Sequence, residues 1–456
     1  MNQPFVLNDY VRLGHIFVSD SSEPPTPALV RIDENAGIDI DIPVAPASRQ
    51  PFLLDDPAPS PEYLHFKDDR GVLTLGGCRV RGHRSNSASG SGRKSLQAAF
   101  AVSGSNFSDA SVKQVRGLRS EIAGLHGWMG WQMTTMTIKN GANEETEEVG
   151  ITKKVLAATV INEGSYAVRF APLVKMKDFA FSGDETHCET LAEQATSWDS
   201  HLALHSAIRD LIAISLWHPV DYLSHEVQHP GEPRRLPSGK EFPPPWRSLH
   251  YLHATRRTHN VSPSEPRIQA EHFTYNDLGE GGVKRWFELS RSHSRGIAPL
   301  MSHLYLTGLP VETQITHIGI SLEALRFADR IKAGDSIGSA NSESIASRAS
   351  GLARDVGESI VSILGDVDHW GSRFAAAYNG VKHANRPSAD PAETFWLVRS
   401  GALVARARLL QGMGIPSASF NRLQYSSWWH PMKEGVASSV GLPNGQAAGD
   451  HLDSAG

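Results

Sequence analysis

The spacing of apolar residues changes once along this chain, from the two-residue period of β-strands to the longer period of α-helices. Ile38, Ile40 and Ile42 alternate with aspartates, and residues 155–170 have the pattern of a β-hairpin. From about residue 186 onward, apolar residues instead recur mainly every three or four positions. The pattern therefore predicts an α+β protein, with a β-rich N-terminal domain followed by an all-α C-terminal bundle.

Helical spacing also marks the approximate limits of individual helices. The helices that it predicts are 115–125 inside the β-rich region, a long helix from about 186 to Pro219, 281–307, 312–332, 351–365, 366–386 and 391–413. A polar stretch at 334–350 reads as a linker.

The length of 456 residues exceeds what one ordinary core holds, so two or three domains are expected. The predicted divisions are a β-rich N-terminal domain at 1–185, a mixed and mostly helical region at 186–310, a helical domain at 311–430 and a disordered tail at 431–456.

Composition excludes several classes of protein. The formal charge of -5 gives no field that would attract nucleic acid to the whole chain, so any RNA site must be local. Two cysteines exclude a disulfide scaffold and suit a reducing compartment. No apolar run reaches membrane-spanning length and no secretory leader pattern begins the chain, so we expect a cytoplasmic protein without membrane contact.

One motif suggests a metal site. His225, Glu226 and His229 match the H-E-x-x-H pattern in which two histidines on a helix bind zinc and the glutamate activates water. Prolines at 219 and 230 leave little room for a helix, and the alternation around Val227 favours a strand. A strand would turn Glu226 away from both histidines. A zinc peptidase stays open as the weakest alternative, and we expect no metal.

Two further histidines, His201 and His205, lie four apart on the predicted long helix and could form a metal pair. The favoured interpretation is one partly buried and one solvated histidine on an amphipathic helix, because no cluster of Asp, Glu or Cys ligands accompanies them.

A short polar segment near the C-terminus is the strongest functional signal. Tyr378, Asn379, Lys382, His383 and Arg386 lie within nine residues and are followed by a proline. The proline predicts that the helix ends close to Arg386. Because Asn379 and His383 are four apart, a helix would project both from one face. A polar face on an otherwise small and apolar segment indicates recognition or chemistry, although a helix end also favours cations without any function.

This segment resembles the signature of HEPN domains (higher eukaryotes and prokaryotes nucleotide-binding). These are small helical bundles whose motif is an arginine, a polar residue that is often asparagine, a short spacer and a histidine. The order of several segments resembles ApeA-like antiphage proteins, which join a β-rich N-terminal domain to a C-terminal HEPN domain. The segments are Gly71-Val72-Leu73-Thr74-Leu75, Gly124-Leu125-His126-Gly127-Trp128, Ser321-Leu322-Glu323-Ala324-Leu325, Tyr378-Asn379 to His383, and Leu409-Leu410-Gln411-Gly412-Met413-Gly414-Ile415.

The resemblance implies metal-independent cleavage of RNA, in which a ribose 2′-hydroxyl attacks the neighbouring phosphate. It implies that His383 and Asn379 are catalytic, and that Tyr378, Lys382 and Arg386 bind the substrate. No cofactor is implied. The implied partners are RNA, a second copy of the chain that forms a homodimer through the HEPN-like domain, and a phage-derived trigger.

The chain departs from the family motif at one position. Tyr378 stands where the family has arginine, and Arg373 lies ten helical residues, about 15 Å, from His383. Tyrosine could donate a hydrogen bond or stack on a base, but it carries no fixed charge. A catalytically silent HEPN-like module that binds RNA or a protein partner therefore remains the alternative to a ribonuclease.

Overall fold

The protein is described by a computed structural model. It describes residues 10–18, 24–33, 37–44, 61–85, 92–104, 107, 109–140, 146–154, 156–177, 180–230, 234–235, 241–251, 272–306, 308–387 and 389–441.

Two compact units divide the chain, and each is assembled from segments that are distant in sequence. The β unit comprises Met1–His126, Trp131–Arg209 and Val220–Ser264. The helical unit comprises Gly127–Gly130, Asp210–Pro219 and Glu265–Gly456.

The β unit is built on one large sheet. The strands in chain order are β1 (Tyr10–Phe17), β2 (Thr26–Asp33), β3 (Gly37–Val44), β4 (Tyr63–Asp68), β5 (Gly71–Gly76), β6 (Arg79–Ser85), β7 (Gly92–Ala98), β8 (Phe100–Ser103), β9 (Gln114–Ile122), β10 (Thr134–Asn140), β11 (Thr146–Lys153), β12 (Thr159–Glu163), β13 (Tyr166–Lys177), β14 (Ala180–Ser197), β15 (Tyr222–Gln228), β16 (Arg234–Arg235), β17 (Glu241–Phe242) and β18 (Arg247–Tyr251). Fourteen strands form an antiparallel sheet in the order β12-β13-β14-β9-β15-β18-β8-β5-β4-β1-β2-β3-β7-β6, while β10-β11 and β16-β17 pair separately.

Two of the predicted strand features are confirmed. Ile38, Ile40 and Ile42 are fully buried on one face of β3 and pack in an apolar cluster with neighbouring strands. The predicted hairpin is formed by β12 and β13, which pair from Thr159 to Glu163. Alternation of this kind identifies a strand with one face on the core.

The helix predicted at 115–125 is wrong, because residues 114–122 form strand β9 between β14 and β15. Pairing along β14 jumps from Thr196, opposite Val115, to Leu191, opposite Gly117. The extra residues of this irregularity lie on β14. Along β9 the consecutive residues Gly117 and Leu118 are both buried, so Val115 and Leu118 are buried although they lie three apart. Burial of neighbouring residues on both faces of a central strand thus imitates helical spacing.

The long helix begins later than predicted. Residues 186–197 continue strand β14, and the helix α2 runs from Trp198 to Leu216. Within β14 the consecutive residues Cys188, Glu189 and Thr190 are all buried. A strand that is covered on both faces lacks the alternation by which strands are recognised.

The remaining elements are helical. The helices are α1 (Leu125–Met129), α2 (Trp198–Leu216), α3 (Tyr275–Ser292), α4 (Ser294–Tyr305), α5 (Val311–Lys332), α6 (Ile337–Ser342), α7 (Ile345–Asp355), α8 (Glu358–Leu364), α9 (Val367–Lys382), α10 (Pro391–Gly412) and α11 (Trp429–Ser439), with 3-10 turns at Ala110–Lys113 and Ser417–Tyr425. Within the described ranges, every helix is too short or too polar to cross a membrane.

The predictions for 312–332 and 391–413 are confirmed by α5 and α10. Four others need correction. Residues 281–307 are divided at His293 between α3, which already begins at Tyr275, and α4, which ends at Tyr305. The predicted linker at 334–350 contains α6 and the start of α7, which begin at the side-chain caps Ser336 and Ser344. Residues 351–365 are divided between α7 and α8 at Gly357, whose φ of 97° interrupts a helix. Residues 431–439, which were predicted to be tail, belong to α11, and 442–456 lie outside the described residues.

The core of the helical unit contains large aromatic side chains and the arginine Arg406. Trp286, Trp370 and Phe374 are fully buried. Arg406, 1 % exposed, donates hydrogen bonds to the carbonyls of Ile214 (2.9 Å) and Ser215 (2.7 Å). Its charge thereby satisfies carbonyls at the C-terminal end of α2, where the helix leaves them without intrahelical partners.

Candidate functional site

Helix α9 positions the polar segment of residues 378–386. Asp366 caps its first turn by accepting hydrogen bonds from the N–H groups of Asp368 and His369. The last helical residue is Lys382, four positions before the predicted end. His383 has an extended backbone, while its N–H still donates to the Asn379 carbonyl at 3.0 Å. The helix therefore ends at the histidine of the motif.

The end of α9 exposes the cationic part of the motif. Lys382, His383 and Arg386 are exposed, and Asn379 is half-buried one turn below His383. The Lys382 ammonium lies 4.7 Å from the centre of the Tyr378 ring. The segment thus presents an imidazole, an ammonium and a guanidinium to solvent within five residues.

A tight reversal holds the residues after His383 against the helix. The N–H of Arg386 donates to the His383 carbonyl at 3.0 Å. A Cβ atom placed on Gly380 would lie only 2.8 Å from the Pro387 carbonyl oxygen. The absence of a side chain at Gly380 therefore allows the chain to fold back over the last turn of α9.

Tyr378 has a different environment from the rest of the motif. It is 2 % exposed, and its hydroxyl donates a 2.9 Å hydrogen bond to Glu323 Oε2 on α5. Burial, and then the bond to Glu323, raise the pKa of Tyr378 above its ordinary value. A Cβ atom at Gly319 would overlap the tyrosine ring. A base could stack on this ring only if the ring left the core.

The contact with Tyr378 is part of a network of polar contacts that joins four helices. Arg348 on α7 lies 3.8 Å from the Glu323 carboxylate and donates to the Ala340 and Asn341 carbonyls, at the end of α6. Arg326, on the same helix as Glu323, instead pairs with Asp355 at 2.7 Å. Of Glu323 and Arg326, it is thus Glu323 that forms a hydrogen bond with the motif segment.

A cavity of about 1080 Å³ lies beside this network of polar contacts. Glu323 and Arg348 line it together with apolar residues of α5 such as Ile320 and Phe327. Its volume slightly exceeds the upper end of the range of small-molecule sites, about 1,000 Å³.

Arg373 does not supply the missing arginine of the motif. It forms a two-point ion pair with Glu393, at 2.5 Å, which ties α9 to the first turn of α10. Glu393 is 4 % exposed. Arg373 thus stabilises the packing of two helices.

The histidine pairs of the β unit have structural surroundings. The H-E-x-x-H segment lies on strand β15 up to Gln228, in agreement with the predicted strand, and His229 follows directly. Glu226 is bound to Arg119 at 3.2 Å, and His225 Nδ1 is 2.7 Å from Ser120 Oγ. The helical arrangement of a zinc peptidase is therefore not formed by these residues.

The prediction of one solvated histidine on α2 is wrong, because His201 and His205 are both fully buried. Both contact the Thr190 hydroxyl, at 2.8 and 2.9 Å, and His205 Nδ1 lies 2.6 Å from Ser120 Oγ. Burial lowers the pKa of His201 to about 4 and that of His205 well below its ordinary value. Both imidazoles thus serve as neutral core groups.

Comparison with protein families agrees with this architecture. A family model described as ApeA N-terminal domain 1 matches residues 11–286, more than half of the chain. The chain belongs to the ApeA-like family. A second family model, described as Apea-like HEPN, matches residues 321–419, so the ApeA-like chain carries a HEPN domain that includes α9 and the end of α5. Comparisons with curated proteins and with solved structures return no match.

Sequence reasoning missed two residues of this site, Gly319 and Arg348, and left open whether Glu323 reaches the motif. Gly319 and Glu323 receive Tyr378, and Arg348 contacts Glu323. Glu323 lies in the Ser321–Leu325 segment that resembles the family, but no spacing within the sequence links it to Tyr378. Such a link depends on how α5 and α9 pack.

Proposed function

We propose that this ApeA-like protein is a HEPN-type endoribonuclease that acts in antiphage defence without a metal ion. The observation that supports this most directly is the exposure of His383 at the end of α9, next to Lys382 and with Arg386 three residues further on. These groups belong to the part of the chain that matches the HEPN family.

The chemistry of the proposed reaction suits these side chains. Attack by a ribose 2′-hydroxyl on the neighbouring phosphate needs a base for the nucleophile, an acid for the leaving oxygen and positive charge near the phosphate. An imidazole can accept or donate a proton near neutral pH. Lys382 and Arg386 provide the charge, and Asn379 orients the scissile group by hydrogen bonding.

One histidine cannot hold both proton roles in the same step. A two-fold homodimer through the HEPN domain would bring two copies of His383 to one cleft, where one imidazole accepts a proton and the other donates one. The β unit would restrain this site until it senses a phage-derived trigger.

The position of Tyr378 favours a second candidate, a catalytically silent HEPN module that binds RNA or a protein partner. At the motif position of the family arginine, this chain has a buried phenol that is bonded to Glu323. A phenol supplies no fixed positive charge to a phosphate. In this case Lys382 and Arg386 contribute to binding alone.

Incubation of the full-length protein with total RNA and EDTA tests the two candidates. Cleavage that yields cyclic-phosphate ends, disappears in His383→Ala and persists in His430→Ala supports the ribonuclease. His430 is a matched control because it is exposed on another helix, α11, of the same unit. The incubation is repeated with lysate of phage-infected cells, which supplies a trigger.

The second candidate predicts intact RNA under both conditions, together with binding that weakens in Lys382→Ala and Arg386→Ala. Loss of one phosphate contact reduces the salt dependence of binding by about one ion per variant. Absence of both cleavage and RNA binding would contradict the ribonuclease and leave a protein partner as the ligand of the module.

A further inference from the structure

Three side chains with metal-binding atoms lie on one face of the sheet, at the junction of β9 and β14. His187 on β14 pairs directly with Glu121 on β9. Glu185 precedes His187 by two residues and therefore projects from the same face of β14. The register of the two strands thus brings an imidazole and two carboxylates together.

The distances among these side chains suit a shared ligand. One ligand atom from each residue lies within 4.8 Å of the others. The His187 Nε2 atom is 3.5 Å from Glu185 Oε2, longer than a good hydrogen bond between these atoms. Ligand atoms around a bound transition metal lie about 2 Å from the ion, so a small inward movement of the side chains would complete the site.

His187 gives an independent indication of a ligand. The residue is only 8 % exposed, and neither ring nitrogen has a hydrogen-bond partner among the described residues. Buried polar atoms in proteins are nearly always satisfied, so an imidazole aimed at two carboxylates without a hydrogen bond requires an explanation. A cation between the three groups would supply the missing partner.

Two other carboxylates, Glu189 and Glu226, lie on the same face of the sheet. Arg119, two residues before Glu121 on β9, pairs with Glu189 at 2.7 Å and with Glu226 at 3.2 Å. A guanidinium therefore binds that pair of carboxylates. The Ser224 hydroxyl donates to Glu121 Oε2 at 3.3 Å, which helps to orient this carboxylate, as outer-shell partners do in metal sites.

We propose that Glu121, Glu185 and His187 bind one divalent transition-metal ion. Two carboxylate oxygens and one imidazole nitrogen suit Mn²⁺ or Zn²⁺, because hard oxygen ligands favour Mn²⁺ and imidazole favours Zn²⁺. The ion crosslinks β9 to β14 and stabilises the β unit. This site is separate from the HEPN motif, and the proposed RNA cleavage does not depend on it.

Isothermal titration of metal-free, full-length protein with ZnCl₂ and with MnCl₂ tests this proposal. We expect one ion per chain and a rise in the melting temperature on binding. Glu121→Gln and Glu185→Gln should weaken binding at least about 100-fold, more than the loss of an outer-shell partner does. Glu226→Gln, a carboxylate of the same face that Arg119 holds, should leave metal affinity unchanged.

The two glutamine variants keep the shape of the side chain, and circular dichroism without metal checks that they fold. Failure of the wild-type protein to bind either ion would overturn the proposal. Binding that survives in both glutamine variants would also overturn it, since the ion would then lie at another site.

Discussion

The hydroxyl of Tyr378 on α9 donates a 2.9 Å hydrogen bond to Glu323 on α5. Tyr378 immediately precedes Asn379, so the helix that carries the motif is fixed to α5 at the position of the family arginine. Tyr378 is part of the core, whereas Lys382, His383 and Arg386 of the same segment face solvent.

Replacement of Tyr378 by phenylalanine removes the hydrogen bond and keeps the ring. We expect the free energy of unfolding to fall by about 1 kcal/mol, because the hydrogen bond is lost. The loss stays this small because the half-buried Glu323 carboxylate recovers part of its hydration. Urea denaturation measures the change, with Tyr425→Phe as the control since Tyr425 is 85 % exposed. Equal stability of the two variants would contradict the structural role. Weaker RNA binding by Tyr378→Phe would support the sequence-based prediction that this residue binds substrate.

A methyl group at Gly319 should disturb the same contact from the other side. Gly319→Ala places a Cβ atom into the space of the Tyr378 ring, and we expect a loss of about 1–3 kcal/mol in stability. The matched control is Gly338→Ala on α6, where the nearest atom is Ser336 Oγ at 4.0 Å. There alanine should stabilise the protein slightly, by up to about 1 kcal/mol. If both variants are equally stable, the packing of α5 on α9 is not as tight as the contact indicates.

Gly380 offers a way to move the exposed motif without unfolding the domain. Gly380→Ala gains helix propensity of up to about 1 kcal/mol, but its Cβ atom pushes Pro387 outward. Because the displaced segment begins at His383, RNA cleavage or binding should fall while the melting temperature stays within a few degrees of wild type. Unchanged activity together with unchanged stability would show that the reversal after His383 does not position the motif.

Acid should destabilise the β unit through its buried histidines. Burial lowers the pKa of His201 from 6.5 to about 4. Between these two pH values the unfolded state therefore binds a proton that the folded state does not bind. Stability is therefore lost as the pH falls from 6.5 toward 4. For this residue alone the loss from about pH 7.5 to about pH 5 is about 2 kcal/mol.

Urea denaturation of wild type and His201→Gln at both pH values tests the effect. The variant should be less stable at neutral pH, because the bond to Thr190 is perturbed, but its stability should fall less on acidification. His430→Gln changes an exposed histidine, so this variant should lose as much stability on acidification as the wild-type protein. An identical pH dependence in all three proteins would exclude His201 as a source of acid sensitivity.

The sequence predicts those elements whose burial follows one face. Ile38, Ile40 and Ile42 reveal β3, and the single-faced pattern of 312–332 reveals α5. Prediction fails at β9 and at residues 186–197, because consecutive residues of these strands are buried and the two-residue period of a strand is lost. At the candidate site, the motif in the sequence singles out Lys382, His383 and Arg386, which are exposed in the structure. The burial of Tyr378 does not, because it depends on the space that Gly319 leaves on a helix far away in sequence.

The hydrogen bonds of Arg406 to Ile214 and Ser215 span 192 and 191 residues. During synthesis, the end of α2 therefore leaves the ribosome long before the residue that satisfies its carbonyls. The helical unit can close only when nearly the whole chain has been translated, because its segments come from both ends of that interval. A nascent or prematurely terminated chain consequently lacks a finished HEPN domain.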